Sequence, residues 1–506
     1  MMEFELFCFA LGMVLLYVLI SKRKKGNGKA LVGPKGQPIL GSILEIDDEN
    51  MHFKFSEYAE QYGEIYQVKL LFDTFIVLNS ERVIRKCFGG DKYKHVFNDR
   101  SELFYGRHFA CNSKALGFVV DGTGRFHRTA RKHVMQALHA YGSGLRDLEN
   151  NVMTELSNLH TRIEDGNIFE CVSLIFQSIS NVLSLMLIGE PVLDDEKEKN
   201  MFLDEIQVED FFLNSYVNFI MSVLPFVRYI PGRYKQEFLK AKAVNAKIVK
   251  KYFHDVKRSF VRGKVRGIVD VFLEEQNQQK EAGEEVFFTD DTIIAQVIDI
   301  IDGGITTTWS VLSNTMLILL NHPQYQRLLQ NEFDREIGRQ RLPTFKDRSN
   351  CSFFKAFELE VHRYITVVPL MLPHKCKEDV EFEGYDIAMN STVIGNSWYI
   401  HHNKEIWGDP WTFRPERFLD SHGNVLPYEH ILRKNLIPFG NGLRQCPGES
   451  FAKTRYFLYV SNLLQRWCFE FPEEMHVSCD PRVSENFDIS VVIRPKPFYC
   501  HAKRRI

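Results

Sequence analysis

The sequence lacks the patterns that define several common classes of protein. Its ten cysteines are scattered, with no Cys-x-x-Cys pair and no dense framework, which is typical of a chain in a reducing compartment. The 63 lysine and arginine residues nearly balance the 65 aspartate and glutamate residues, so bulk charge gives no indication of a nucleic-acid partner. Repeats and low-complexity segments are also missing. What remains is a 506-residue globular chain that is long enough to bury a large core.

One long apolar run is present, at residues 6–20, and a basic cluster follows it at 21–25. At about 1.5 Å per residue the run spans roughly 22 Å, so it needs tilt or snorkelling lysines to cross a bilayer core of about 30 Å. A cleaved signal peptide is the alternative, but it requires basic residues before the run and small residues after it, and neither is present. The sequence predicts a membrane anchor over 1–25, a Pro/Gly hinge over 26–48 and one domain over 49–506, facing the cytosol by the positive-inside tendency.

Hydrophobic periodicity predicts a mainly α domain with a smaller β region. From residue 50 to about 344 the period is mostly helical, and after Arg363 short strands and turns take over. The helices that we expect include 169–187, 234–256 and a last one at about 449–469. The strands that we expect include 65–69, 75–78, 380–382 and 392–395.

The segment 439–448, Phe-Gly-Asn-Gly-Leu-Arg-Gln-Cys-Pro-Gly, carries the chemistry. Its glycines allow the backbone to turn tightly and to approach a planar cofactor, and Cys446 lies at a helix start, where free N–H groups and the dipole favour a thiolate. Arg444 can pair with a carboxylate of the cofactor. Two alternatives are a cysteine that only fills space and a dinucleotide loop; the latter lacks its third glycine and the βαβ context.

This segment resembles the haem-binding signature Phe-x-x-Gly-x-Arg-x-Cys-x-Gly of the cytochrome P450 family and matches it at every fixed position. The resemblance implies the P450 fold and haem b as the cofactor. It implies that Cys446 is the proximal iron ligand, whose electron donation favours O–O cleavage, that Phe439 and Gly440 belong to the haem-binding loop, and that Arg444 binds a haem propionate.

Two further segments resemble the charged framework of that family. Glu360 and Arg363 are three residues apart on a helical stretch, which puts them within ion-pairing reach on one face. Arg417 belongs to a Pro-Glu-Arg-Phe element at 415–418, and the resemblance implies that it joins the pair in a buried network behind the cysteine loop. We expect all three to act in folding and not in chemistry.

A long helix is predicted from about 291 to 320, capped by Thr289 and Asp290. Gly303 and Gly304 in its middle indicate either close approach of cofactor or substrate, or a packing contact. The family pattern here is Ala/Gly-Gly-x-Asp/Glu-Thr, and the chain has Thr306 in place of the acid.

The resemblance implies that Thr307 and its neighbour Thr306 form the oxygen-activating site. Asp302, four residues before Thr306 and on nearly the same helix face, is the candidate substitute acid, acting through water.

Other basic residues resemble the propionate-binding positions of the family. Arg100 and His374 lie in the segments Phe-Asn-Asp-Arg and Leu-Pro-His. His127 stands where a tryptophan is usual in Trp-x-x-x-Arg, with Arg131 retained, and its imidazole N–H can replace the lost indole donor. A second register, with Gly124 and Arg128, has the same spacing.

The resemblance is closest to animal microsomal steroid and xenobiotic hydroxylases. It implies an endoplasmic-reticulum membrane protein that takes electrons from NADPH-cytochrome reductase, with cytochrome b5 as an optional second partner, and that hydroxylates an apolar molecule. Lys132, Arg433 and Lys434 are candidates for the docking face, and residues 102–120 and 201–231 are expected to shape the pocket. A haem-thiolate isomerase or lyase, and a haem-bearing binding protein without turnover, remain as alternatives.

Overall fold

Helices make up most of the chain, and the strands are short. The computed structural model describes residues 28–505 except 39, 47–48, 72, 141–145 and 193–195. The predicted anchor over 1–25 lies outside the described residues. The mainly α architecture with a small β region is confirmed.

The α-helices, in chain order, are Met51–Tyr62, Glu81–Gly89, Phe104–Phe109, Arg125–Ala140, Arg146–Arg162, Cys171–Ile188, Glu196–Leu213, Ser215–Val223, Arg233–Val249, Val256–Arg258, Ile268–Glu281, Asp290–Asn321, Pro323–Glu336, Ser352–Ile365, Ser397–His402, Lys404–Trp407, Ile431–Lys434 and Glu449–Arg466. Short 3-10 helices are Pro225–Tyr229, Phe345–Ser349, Pro415–Phe418, Gly442–Arg444 and Ser484–Asn486, and Lys250–Asp255 is π-helical. The strands are Ile65–Leu70, Asp73–Leu78, Ile168–Glu170, His374–Lys375, Val380–Phe382, Tyr385–Ile387, Thr392–Gly395, Trp467–Glu470, Phe487–Ile489, Ile493–Pro495 and Tyr499–Arg504.

The long helix Asp290–Asn321 is the centre of the fold, and its sequence prediction is confirmed. Thr289 caps it by accepting a hydrogen bond from the N–H of Thr292 at 3.3 Å. Acidic residues in the first turn suit the helix dipole, and Pro323 starts the next helix directly after it. Its apolar faces pack against Cys171–Ile188 in the main hydrophobic core.

Three predicted helix bounds were wrong for reasons of tertiary structure. The helix expected over 169–187 begins at Cys171, because Ile168–Glu170 pairs with the strand Tyr499–Arg504. The last helix ends at Arg466, and the residues after it pair with that same strand. The helix expected over 234–256 changes to a π-helical turn at Lys250, where the adjacent Tyr252 and Phe253 are both fully buried.

A four-stranded sheet positions one wall of the site. Asp73–Leu78 pairs antiparallel with Ile65–Leu70 and parallel with Thr392–Gly395, in the register Phe75 to Thr392. Thr392–Gly395 also pairs antiparallel with His374–Lys375 at the edge. This sheet therefore places His374 beside the cavity described below.

The described part of the predicted hinge, 26–48, lies against this sheet. Leu31 and Ile46 are buried, and the N–H of Lys29 donates to the carbonyl of Gly384 at 2.9 Å. Gly33 has its Cα against the carbonyl oxygen of Gln67, where a Cβ would come within 1.8 Å. This close approach requires glycine at position 33.

Among the described residues, Cys171–Ile188 is the helix that is long and apolar enough to cross a membrane. Most of its side chains are buried inside the protein against the long helix. Length and composition alone therefore do not distinguish it from a core helix.

A buried ion-pair network ties the Ser352–Ile365 helix to the loop before Pro415–Phe418. Arg363 donates to both carboxylate oxygens of Glu360, at 2.7 and 2.8 Å, and Arg417 donates to Oε1 at 3.1 Å. The side chains of Glu360 and Arg363 are fully buried, and Arg417 also contacts the half-exposed Asp409. Main-chain carbonyls take most of the remaining guanidinium donors. One carboxylate thus holds two arginines.

We expect Glu360→Ala to lower the free energy of unfolding by about 3–5 kcal/mol, because it leaves two buried guanidinium groups without their shared carboxylate. Chemical denaturation followed by circular dichroism measures this. The control is Glu57→Ala, which removes an exposed pair with Lys54 and should change stability by about 0–1 kcal/mol. Equal, small losses in both variants would refute a structural role for the network.

Candidate active site

One cavity of about 1510 Å³ collects every side chain that the sequence placed in the site, apart from the buried framework. It lies between the long helix, the cysteine loop (439–448) and the edge of the four-stranded sheet. The predicted site residues that line it are Arg100, His127, Arg131, Asp302, Thr306, Thr307, His374, Phe439, Gly440, Arg444 and Cys446. The predicted pocket-shaping segments, 102–120 and 201–231, also contribute to its wall.

The cysteine loop is a tight turn whose conformation depends on glycine. Gly440 and Gly442 have φ angles of 72° and 79°, in the left-handed region. A Cβ on Gly442 would lie 2.1 Å from the carbonyl oxygen of Phe88. The N–H of Cys446 donates to the carbonyl of Phe439 at 2.9 Å, which closes the turn. The Cys446 side chain opens onto the cavity.

The local effect that favours a Cys446 thiolate is present, but burial opposes it in the protein alone. Desolvation by the surrounding protein raises the pKa of the Cys446 thiol. The N–H of Gly448, Arg131 and Arg455 lower this pKa, but they do not outweigh desolvation. A metal ion bound to the sulfur would reverse the balance, because a coordinating thiol is deprotonated.

Three arginines form a cation cluster, Arg100, Arg131 and Arg444, on the cavity wall. Within the described ranges no carboxylate lies within 4.0 Å of any of the three guanidinium groups. Instead they donate to main-chain carbonyls: Arg131 to Gln445 at 2.7 Å, and Arg444 to Asn98 at 3.0 Å and to other carbonyls nearby. Burial lowers the pKa of Arg444 to about 10. Asp99 and Asp299 oppose this shift from beyond ion-pair distance, so an anion in the cavity would supply the close negative charge that the cluster lacks.

His127 joins the cation cluster from the same helix as Arg131. It is buried, and its Nε2 has no hydrogen-bond partner among the residues that the structure describes. Burial, followed by the nearby arginines, lowers the pKa of His127 to about 3, so the ring is neutral and offers one N–H. Arg128 is exposed, and it donates to the carbonyl of Thr123 at 2.6 Å. The register with His127 and Arg131 is therefore the one that faces the cavity.

His374 is fixed by a hydrogen bond between its Nδ1 and the carbonyl of Phe97 at 2.7 Å, and it stacks on Phe88. Because a carbonyl only accepts, Nδ1 carries the hydrogen and Nε2 of the neutral ring is an acceptor. Burial, then Arg100, lowers the pKa of His374 well below its ordinary value. A carboxylate beside Nε2 would need an additional proton on this ring.

The two glycines of the long helix have different surroundings. A Cβ on Gly303 would meet open space, whereas a Cβ on Gly304 would lie 3.1 Å from Cδ1 of Leu183. Gly303 therefore leaves room in the cavity, and Gly304 allows the two core helices to approach. Thr307 borders the cavity and donates to the carbonyl of Gly303 at 2.7 Å. Thr306 is buried, and its hydroxyl has no partner in the described part of the chain.

Asp302 is part of a carboxyl pair joined by a phenol. Tyr105 contacts Oδ2 of Asp302 at 2.9 Å and Oε1 of Glu205 at 2.6 Å. Burial raises the pKa of Glu205 to about 7, and burial together with nearby carboxyls raises that of Asp302 well above its ordinary value. Because a phenol carries one hydrogen, both contacts are hydrogen bonds only when one carboxyl is protonated. The pair therefore holds a proton at neutral pH.

Comparison with known proteins decides the family. The Cytochrome P450 family profile matches residues 32–501. The chain belongs to the cytochrome P450 family. It is 28% identical over 483 residues to cytochrome P450 1A5 of Gallus gallus (92% of this chain, 90% of the relative). It is 27% identical over 495 residues to cytochrome P450 2D26 of Rattus norvegicus (97% and 96%) and 28% over 489 residues to cytochrome P450 2D14 of Bos taurus (96% and 95%).

As a P450, the chain is a monooxygenase with haem b as its cofactor. The residues of the cavity fit that group. A thiol opens into the space, the cation cluster lacks the negative charge that two propionates carry, and Gly303 leaves room on the opposite wall. Buried nitrogen atoms of His127 and Arg100, without partners in the described part of the chain, belong to side chains that line the same cavity. The fit rests on charge and on shape.

Sequence reasoning missed several groups at the site of this P450. Tyr105 and Glu205 complete the carboxyl pair, and Arg455 lines the cavity from the Glu449–Arg466 helix. Arg455 had a detectable signal, because it is a cation between Phe451 and Tyr459 on an otherwise apolar helix face. Tyr105 and Glu205 had no comparable signal, because they are 100 residues apart.

Proposed function

We propose that this P450 is a membrane-anchored monooxygenase that hydroxylates an apolar small molecule with electrons from NADPH through a separate reductase. The observation that carries the proposal is that Cys446, the cation cluster and Thr307 share one cavity. Its volume of about 1510 Å³ exceeds the range of about 300–1,000 Å³ that is usual for one small ligand, which leaves space for cofactor and substrate together.

The substrate side of the cavity is largely hydrocarbon. Its apolar lining residues include Leu116, Phe118, Leu183, Met186, Leu213, Phe219, Val367, Val368 and Met371. Contact with these side chains stabilises a ligand in proportion to the apolar area that it buries. An apolar small molecule of steroid or xenobiotic size is therefore the substrate class that this wall favours.

Most of the predicted site residues have a role in this proposal. Cys446 holds the haem iron through its sulfur, and Arg100, Arg131, Arg444 and His127 hold the propionates by charge-assisted hydrogen bonds. Bound haem supplies the activation of O₂. Phe439 and Gly440 shape the loop around the sulfur. The hydroxyl of Thr307, held by the carbonyl of Gly303, is positioned to pass a proton into the cavity.

We expect Cys446→Ser to give a folded protein that has lost the ferrous-CO absorption typical of thiolate ligation, because a hydroxyl is a poor ligand for this iron. Absorption spectroscopy after reduction under CO measures this. Cys468→Ser, at a half-buried strand position, is the matched control and should keep the wild-type spectrum. A thiolate-type spectrum in Cys446→Ser would overturn the ligand assignment.

The carboxyl pair is the proton source in this proposal, in place of the acid that Thr306 replaces. Asp302 is one helical turn before Thr306, it borders the cavity, and its Oδ1 has no partner among the described residues. Its raised pKa keeps a proton available at neutral pH. The pair therefore holds a proton, and Thr307 delivers it.

We expect Asp302→Asn to lower the fraction of consumed NADPH that appears in product and to increase peroxide release, because an amide cannot return a proton to the relay. The control is Asp291→Asn on the same helix, whose carboxylate is exposed and outside the cavity. Coupling is measured with a turnover substrate and a reconstituted reductase. Unchanged coupling in Asp302→Asn would defeat the relay, and product formation without NADPH would favour the isomerase or lyase alternative.

The proposal places the protein on the endoplasmic-reticulum membrane, with residues 1–25 as the anchor and the domain in the cytosol. A second contact with the membrane is supported by exposed apolar side chains around the 3-10 helix Pro225–Tyr229, among them Leu224, Phe226 and Ile230.

The proposed docking face for the reductase consists of the exposed Lys132 and Lys434 and the half-buried Arg433. Cytochrome b5 is a second candidate partner for this face.

We expect deletion of residues 1–25 to weaken membrane association without loss of haem binding, because the haem-binding residues lie in the folded domain. Ile230→Ser in the truncated protein should weaken the association further. Fractionation of membranes, with the haem spectrum as a folding control, measures both. A truncation that leaves the membrane completely would rule out the second contact, and membrane association equal to the full chain would rule out the anchor.

A further inference from the structure

Arg455 is a buried cation that neither the haem-binding loop nor the proton relay uses. It lies in the middle of the Glu449–Arg466 helix and is 4% exposed. Its Nη1 group donates to the carbonyl of Gly304 on the long helix at 3.2 Å. Its Nε has no hydrogen-bond partner, and no carboxylate lies within 4.0 Å of its guanidinium, among the residues that the structure describes.

The groups that act electrostatically on Arg455 are few. Burial lowers its pKa to about 10, and the groups that oppose this effect are Tyr459 and Cys446. Tyr459 is a neutral phenol in contact with Ser178 at 2.7 Å, and burial raises its pKa. Arg455 and Cys446 both line the cavity, so this arginine is a buried cation on the wall of the space that the cofactor would occupy.

We infer that Arg455, a buried cation on the cavity wall, raises the reduction potential of the haem iron held by Cys446. This inference rests on the proposed function, in which Cys446 is the iron ligand. Arg455 acts through the charge that it adds to the cavity wall. The guanidinium also fixes its own position, because its contact with Gly304 joins the two helices that enclose the cavity.

The physical reason is the charge of the reduced state. Reduction adds one electron to the haem and its thiolate ligand, and a fixed positive charge nearby stabilises the more negative state. A buried charge is screened less by water and salt than an exposed one. Arg455 therefore favours acceptance of the first electron, which comes from the reductase in the cell and from dithionite in the experiment.

The experiment compares the midpoint potential of the bound haem in four variants of the full-length, haem-loaded protein. Arg455→Met removes the charge, Arg455→Gln removes it but keeps an N–H donor for the Gly304 carbonyl, and Arg455→Lys keeps the charge. Arg466→Met removes an exposed arginine from the end of the same helix. We expect the Met and Gln variants to shift to more negative potentials, and the Lys and Arg466→Met variants to stay near wild type.

The ferrous-CO spectrum of each variant separates failure of this inference from failure of the proposed function. A wild-type protein without thiolate-type absorption would refute the assignment of Cys446 as the iron ligand. With that absorption intact, wild-type potentials in both Met and Gln variants overturn the role of Arg455. A Lys variant shifted as far as Met also overturns it, because geometry and not charge would then be responsible. A shift to more negative potential in Met and Gln but not in Lys, with thiolate-type absorption intact in all three, supports it.

Discussion

Buried positive charge that makes no ion pair with a described carboxylate is the constraint on which the site of this P450 depends. Arg100, Arg131 and Arg444 are held in the cavity wall by main-chain carbonyls, and desolvation lowers the pKa of each. Such groups are costly to bury, and an anion in the cavity would offset that cost. In the proposed function the haem propionates would lie at this wall, and Cys446 would hold the iron as a thiolate. The cofactor would then be part of the electrostatic structure of the site.

The network around Glu360 stabilises buried arginines in a different way, with a carboxylate of the chain itself. There, two arginines share one buried carboxylate, and neighbouring carbonyls take most of their remaining donors. This part of the fold is electrostatically complete without a cofactor. The protein therefore combines an ion-paired framework with a cavity wall whose arginines make no ion pair with a described carboxylate. The carboxyl pair of Asp302 and Glu205 is a third arrangement. This pair reduces its negative charge by holding a proton.

Local signals predicted much of the fold and of the site. The long helix has a cap at Thr289 and a stop before Pro323, both readable from the sequence, and the residues of the cysteine loop define its turn. The bounds at Cys171 and Arg466 were missed, because both depend on pairing with a strand at the far end of the chain. No local pattern encodes that pairing.

The protonation states of the site residues were harder to predict than which residues form the site. The helix dipole near Cys446 is a local effect that the sequence shows, whereas the desolvation that outweighs it comes from the whole fold. Tyr105 joins side chains that are 100 and 197 residues away from it along the chain. The tautomer of His374 likewise depends on a carbonyl 277 residues away. Each of these states is set by tertiary contacts.

The measurement that tests the role of the buried cations most directly is the affinity of the haem-free protein for iron protoporphyrin IX and for its dimethyl ester, in which both propionates are uncharged. We predict that the ester binds more weakly by at least about tenfold, because one charge-assisted hydrogen bond is worth about 1.5–3 kcal/mol and the buried cations would remain uncompensated. Equal affinity for the two compounds would contradict this prediction, because the cation cluster would then have no role in holding the cofactor.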